Sequence, residues 1–237
     1  MDKPFKFKQF TVNQDKCAMK IGTDGVLLGA WAAVDEHLTS VLDIGAGTGI
    51  LALQIAQRSN AELIDAIELD EAAYEQCVEN FEASPWGNRL FCYHAGLDEF
   101  VDEIDDTYDL IISNPPFYSE AVESGDVSRD MARQNSSLPF DELIQGVATL
   151  LSPNGIFAVI IPFKEEANFV RMAESNAMYP IRVTRVRGNK DSEIKRSLME
   201  FSFAKVETKQ EELIIETARH QYTQDYIKLT RPFYLKM

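Results

Sequence analysis

From residue 41 the chain alternates short apolar runs with longer stretches of helical periodicity. The runs are Val41–Ile44, Leu63–Ile67, Leu90–Tyr93, Leu110–Ser113 and Ile156–Ile161. Between them the spacing of apolar positions predicts helices over Thr48–Arg58, Asp70–Ala83 and Phe140–Leu151. Strands that are apolar at nearly every position are buried on both faces, which is the condition of a parallel sheet covered by helices. Right-handed crossovers then give an α/β, Rossmann-like, doubly wound and mostly parallel sheet, with its ligand crevice at the carboxyl ends of the strands.

The pattern changes after Ile161. Pro162–Asn176 reads as helical. Ile181–Val186 and Leu198–Val206 read as two strands, joined by the charged stretch Arg187–Ser197. They predict a C-terminal antiparallel hairpin closing the sheet edge. Residues 1–40 precede the first core strand and predict a short N-terminal cap: an extended basic and aromatic piece, then a helix near Asp24–Val34. The organisation expected is a cap over 1–40 and one catalytic domain over 41–237.

Bulk properties narrow the class. At 237 residues, 45% hydrophobic and 26% charged, the chain suits one globular domain. No apolar run approaches the ~20 residues that span a bilayer. The opening MDKPFKFKQF lacks the apolar core and cleavage site of a secretory signal, so a cytoplasmic protein is expected. Cys17, Cys77 and Cys92, like His37, His94 and His220, are too scattered for a zinc set or a disulfide framework, and no metal is expected. No obligate protein partner is evident.

The net charge of −15 speaks against a nucleic-acid partner until its distribution is read. Residues 1–20 hold Lys3, Lys6, Lys8, Lys16 and Lys20. Residues 182–196 hold Arg182, Arg185, Arg187, Lys190, Lys195 and Arg196. Asp98 to Asp106 is acidic throughout its charged positions. Either basic run reads equally as a solvated surface or as a contact for nucleic acid.

The first core strand ends in Asp43-Ile44-Gly45-Ala46-Gly47-Thr48-Gly49. Alternate glycines permit a tight turn and close backbone approach to a ligand at a helix N-terminus. The G-x-G-x-G spacing differs from the G-x-G-x-x-G of dinucleotide folds. A loop that need not cradle a pyrophosphate, preceded by the acid Asp43, suits S-adenosylmethionine, whose amino-acid end is partly cationic. Glu68, at the end of the second strand and 19 residues beyond Gly49, can accept from both ribose hydroxyls. By itself Glu68 suits any adenosine cofactor. At the third strand tip, Ala95, Gly96 and Leu97 are placed by topology beside the adenine, and His94 reads as a packing residue.

The fourth strand ends in Ser113-Asn114-Pro115-Pro116-Phe117. Consecutive prolines stiffen the loop and remove donors while keeping carbonyl acceptors. Pro115 holds Asn114 extended, so its side-chain oxygen can point into the crevice. Asp43–Gly49 together with Asn114-Pro115-Pro116-Phe117 resembles the class I amino-methyltransferases. The resemblance implies that Asn114 and the Pro115 carbonyl hold a substrate amino group and that Phe117 stacks on its planar ring.

The same loop occurs on enzymes acting on glutamine amides of release factors, guanines of ribosomal RNA and adenines of DNA. The flanks choose among them. Phe10–Trp31, with Cys17-Ala18-Met19-Lys20 and Gly22–Trp31, and the tail Tyr222–Tyr226 with Phe233-Tyr234-Leu235, are similar to the bacterial valine-tRNA adenine-N6 methyltransferase family. That resemblance spans most of the chain. It implies S-adenosylmethionine as cofactor, tRNA as partner, and methyl transfer to the exocyclic N6 of adenine 37. It also sets Thr23 and Asp24 near the methionine end of the cofactor, while ordinary helix capping accounts for them equally well. Other readings are a protein glutamine or rRNA/DNA base methyltransferase, a non-catalytic cofactor-binding module, and a dehydrogenase. The glycine spacing disfavours the last of these.

Overall fold

The computed structural model describes residues 3–116 and 138–237. A two-stranded hairpin, β1 (Phe5–Lys6) and β2 (Thr11–Val12), is followed by α1 (Thr23–Trp31). The core runs β3 (Ser40–Ile44), α2 (Ile50–Arg58), β4 (Leu63–Glu68), α3 (Glu71–Glu82), β5 (Leu90–His94), α4 (Leu97–Glu103) and β6 (Tyr108–Ser113). It continues through α5 (Phe140–Leu150), β7 (Leu151–Pro162), α6 (Glu166–Ser175), β8 (Tyr179–Asn189), β9 (Ile194–Ser202), β10 (Lys209–Ala218), β11 (Gln221–Tyr222) and α7 (Gln224–Thr230).

The main sheet has the order β11-β10-β8-β9-β7-β6-β3-β4-β5. β3 lies between β4 and β6, parallel to both, so the chain reverses its winding there. That reversal opens a crevice at the carboxyl ends of β3 and β6. The two faces bury separate cores. Val41, Ile64, Leu110, Ile112 and Ala158 pack under α1, α2 and α3. Leu42, Ile111, Phe157 and Val159 pack under α4, α5 and α6. Alternate residues of one strand thus enter opposite cores, which is why these strands are apolar at successive positions.

The expected core strands and helices are present within a few residues, and three features differ. The acidic stretch after Gly96 is α4, with Leu97 and Phe100 as its buried residues. The charged stretch expected to connect two strands is mostly strand itself, with Arg185 opposite Ser197 and Val186 opposite Arg196. The hairpin of β8 and β9 does not close the sheet: β10 adds in parallel to β8, and β11 follows it. Charge hid this region because its arginines are matched by acids. Arg182 forms a two-pronged pair with the buried Glu200 and lies 3.8 Å over the Trp31 ring. Arg185 pairs with Glu166, Arg187 with Glu212, and Arg196 with Asp24. All four arginines of the run Arg182–Arg196 are thus paired with acids within the fold. Among the described residues no helix is long and apolar enough to cross a membrane.

Candidate active site

Gly45, Gly47 and Gly49 all adopt left-handed backbone, with φ of 72°, 54° and 78°. An L-residue resists this conformation, so the alternate glycines are the condition for the turn. The turn is pinned from β4: the amides of Gly45 and Ala46 donate to the Ile67 carbonyl, and the amide of Gly47 donates to Glu68 Oε2 at 2.7 Å. At Gly45 and Gly47 a Cβ would meet nothing within 4 Å, so the loop backbone faces open space. At Gly49 a Cβ would lie 2.5 Å from the Phe81 ring, so that glycine also lets α3 pack against the loop.

Asp43 is wholly buried behind the loop. Its Oδ2 accepts from the Ala52 amide at 3.1 Å, satisfying a free donor in the first turn of α2, whose N-cap Gly49 has no side chain to do so. Its Oδ1 has no partner among the described residues. Burial pushes the carboxyl up to about 7, with the Ala52 amide opposing and the nearby Glu68 charge adding to the rise.

A cavity of about 530 Å³ opens at the strand tips. Of the expected site residues, Gly45, Glu68, Ala95, Gly96, Leu97 and Pro115 wall it. Asp43, Gly47, Gly49, Thr23, Asp24 and Asn114 are not in that wall. Asn114 is turned towards α1, where its Nδ2 is 4.0 Å from the position of a Cβ on Gly25. Its Oδ1 is buried and has no partner among the described residues. Thr23 and Asp24 open α1 beside it. The capping alternative is not met, since the N-cap is Gly22 and no side chain caps it. Asp24 is instead held by Arg196 at 2.7 Å. His94 lies against the Leu69 carbonyl at 3.0 Å and stacks on Tyr74. Phe117 lies outside the described residues.

Part of the cavity wall has no expected counterpart. Leu69 and Asp98 extend the strand-tip side, and Glu142, Gln145, Gly146 and Thr149 come from α5. Gly146 carried a usable signal. A glycine inside an apolar helical pattern costs about 1 kcal/mol relative to alanine, so a packing reason is expected. Here a Cβ would fall 2.6 Å from Leu97.

The residues present fit S-adenosylmethionine. Glu68 uses one lone pair on each oxygen for the amides of Gly47 and Asp70, which leaves acceptor capacity for two hydroxyls. The glycine backbone is open, and Asp43 Oδ1 behind the loop and Asn114 Oδ1 just past β6 are buried polar atoms without a partner among the described residues. The fold and the site define a class I methyltransferase with S-adenosylmethionine as its donor.

Residues 25–175 match the family model described as the methyltransferase small domain. The chain is 62% identical, over 98% of its length and 100% of the relative's, to the tRNA1(Val) (adenine(37)-N6)-methyltransferase of Flavobacterium johnsoniae. It is 47% identical, over 100% of both chains, to the protein of the same name in Bacteroides fragilis strain YCH46. The chain belongs to the methyltransferase small domain family and, within it, to the family of these relatives. Among solved structures it is similar to a predicted O-methyltransferase, Atu636, of Agrobacterium tumefaciens, with TM-score 0.69, 17% identity, and coverage of 89% of this chain and 96% of that one. It is also similar to the ribosomal protein L11 methylase of Lactobacillus delbrueckii subsp. bulgaricus, with TM-score 0.54, 17% identity, and coverage of 75% and 76%. These structures share the fold.

Proposed function

We propose that this chain methylates the exocyclic N6 of an adenine in tRNA, at position 37 of a valine tRNA, the activity carried in its relatives' name. The observation that carries the proposal is Asn114 Oδ1, a buried acceptor without a partner among the described residues, at the tip of β6 beside the glycine loop. An unsatisfied buried acceptor costs about 1–3 kcal/mol, so a ligand donor is its natural complement.

The chemistry calls for such an acceptor. An aromatic amino nitrogen delocalises its lone pair into the ring and is a poor nucleophile. Acceptors on its two hydrogens, Asn114 Oδ1 and the Pro115 carbonyl, favour a pyramidal nitrogen and return lone-pair density. S-adenosylmethionine supplies an electrophilic methyl group for an in-line displacement. As positive charge grows on the nitrogen, the two oxygens stabilise it. No strong base is required, because the proton leaves after transfer. Rate then comes mainly from alignment. Phe117 is assigned the stacking platform, worth about 1–3 kcal/mol, and an adenine in a loop is the least costly to present unstacked. Asp43, Gly45, Gly47, Gly49, Glu68 and Ala95–Leu97 are assigned to the cofactor, with Thr23 and Asp24 at its methionine end and residues 1–40 as a cap over the catalytic domain.

The test is labelled S-adenosylmethionine with unmodified total bacterial tRNA, followed by nucleoside mass spectrometry. N6-methyladenosine in a valine tRNA is expected. Asn114→Ala is expected to cut turnover at least about 100-fold, the scale of losing one transition-state hydrogen bond, while cofactor affinity holds. Label entering protein or ribosomal RNA instead would overturn the substrate assignment.

A further inference from the structure

Helix α3 carries two amides where its packing face should be apolar. Gln76 and Asn80 lie one turn apart on the same side, each 1% exposed, among Ala73, Cys77 and Phe81. A buried amide is costly unless its hydrogen bonds are met. Those of Asn80 are met in one particular way. Its Oδ1 accepts from the Asn13 amide at 2.8 Å. Its Nδ2 donates to the Asn13 carbonyl and to the Thr48 carbonyl, each at 2.9 Å. The Asn13 amide can only donate, so the side chain's orientation is fixed. Gln76 Oε1 accepts from the Lys16 amide at 3.0 Å, and the Lys16 ammonium reaches Glu75 and Glu79.

These bonds join two parts of the molecule. Thr48 sits in the glycine loop, between Gly47 and Gly49, both left-handed. Asn13 begins the strap of residues 13–22 that runs from β2 to α1. The strap lies along α3 and passes close to the loop. Cys17 within it is buried, and the Glu68 and Asp70 carboxylates are near enough to help raise its thiol to about 12. The strap ends in α1, which packs beside Asn114 and Ile50.

We propose that Asn80 is a positioning residue that couples the glycine loop to the strap of residues 13–22, so that cofactor binding and strap seating are one event. The coupling rests on the reading of the loop as the S-adenosylmethionine site. It is reciprocal: whatever factor the seated strap adds to cofactor affinity, the cofactor adds to strap seating.

Three variants test it. Asn80→Ala removes the three bonds that Asn80 makes to Asn13 and Thr48 and leaves those of Gln76 and Lys16. Asn13→Pro removes only the strap's backbone donor and leaves the bonds from Asn80 Nδ2 to the carbonyls of residue 13 and Thr48. Asn13→Ala removes a side chain the clamp does not use and serves as the control. Affinity for S-adenosylmethionine is measured by calorimetry, and strap seating by the rate of tryptic cleavage after Lys16 and Lys20, with and without S-adenosylmethionine. In the wild type, S-adenosylmethionine should slow cleavage at both sites. Asn80→Ala and Asn13→Pro should each raise Kd, by about ten-fold for the former as expected for a lost buried bond, and abolish the protection. kcat at saturating cofactor should fall less than two-fold for Asn13→Pro.

Asn13→Pro with wild-type affinity and wild-type protection overturns the coupling, whether or not Asn80→Ala folds. So does an Asn80→Ala protein whose thermal midpoint falls while its affinity stays unchanged, the mark of a purely structural brace. A wild-type protein that binds no S-adenosylmethionine would remove the cofactor reading and the coupling with it. Binding in the wild type with no effect of either variant removes the coupling alone.

Discussion

Replacing Asp43 by Asn should change how stability depends on pH, by an amount the structure sets. The carboxyl titrates near 3.8 in an ordinary environment and near 7 here, because it is wholly buried. Between those values the native state keeps a proton that the unfolded chain has released. The contribution of Asp43 to stability is therefore full below about pH 4 and falls as pH rises towards 7, by about 1.4 kcal/mol per pH unit and about 4 kcal/mol in all. Asn keeps the acceptor for the Ala52 amide but sets an NH2 group where Oδ1 has no partner among the described residues. That group costs about 1–3 kcal/mol at every pH. The two curves should cross between about pH 4.5 and pH 6, with the wild type the more stable below the crossing and Asp43→Asn the more stable by pH 7.5. Urea denaturation of the cofactor-free protein from about pH 4 to 8 measures both. A difference that stays constant with pH would refute a neutral Asp43 in the native state.

Other perturbations follow from the same geometry. Gly49→Ala combines a left-handed φ with a clash against the Phe81 ring and should cost about 2–5 kcal/mol; an unchanged denaturation midpoint would contradict the close approach of α3. Arg182→Ala leaves Glu200 buried and without its guanidinium, and should cost about 3–5 kcal/mol in denaturant titrations while tRNA affinity of the folded protein is kept. A stable Arg182→Ala protein with weakened tRNA binding would place that residue on the nucleic-acid surface.

The parallel core was readable because strands buried on both faces must be apolar at successive positions, as Leu42, Ile64, Ile111 and Phe157 are. The glycine loop was readable because only glycine accepts its conformation freely. α4 was hidden by its acids: Leu97 and Phe100 are its two buried residues, too few to set a period. The start of β9 and all of β10 were hidden by charges that the fold pairs across elements, as Arg196 is with Asp24 and Glu212 with Arg187. Such pairings depend on strand order, which local periodicity does not encode. The cavity wall from α5 was hidden for a related reason. Glu142, Gln145 and Thr149 have the composition of a solvated helix face, and only tertiary placement makes them line a cavity.

The hairpin at the start of the chain is joined to residues near its end. Phe7 bridges Tyr234, and the Lys8 ammonium holds the Arg231 carbonyl across a separation of 223 positions. A chain leaving the ribosome from its N-terminus can pack Phe10 of this hairpin against Trp86, while the contacts with residues 231–234 wait until those residues emerge. The doubly wound core can form first, from neighbours close in sequence. The strap of residues 13–22 hangs from that hairpin, so its N-terminal end gains its full set of anchors only when residues 231–234 are in place.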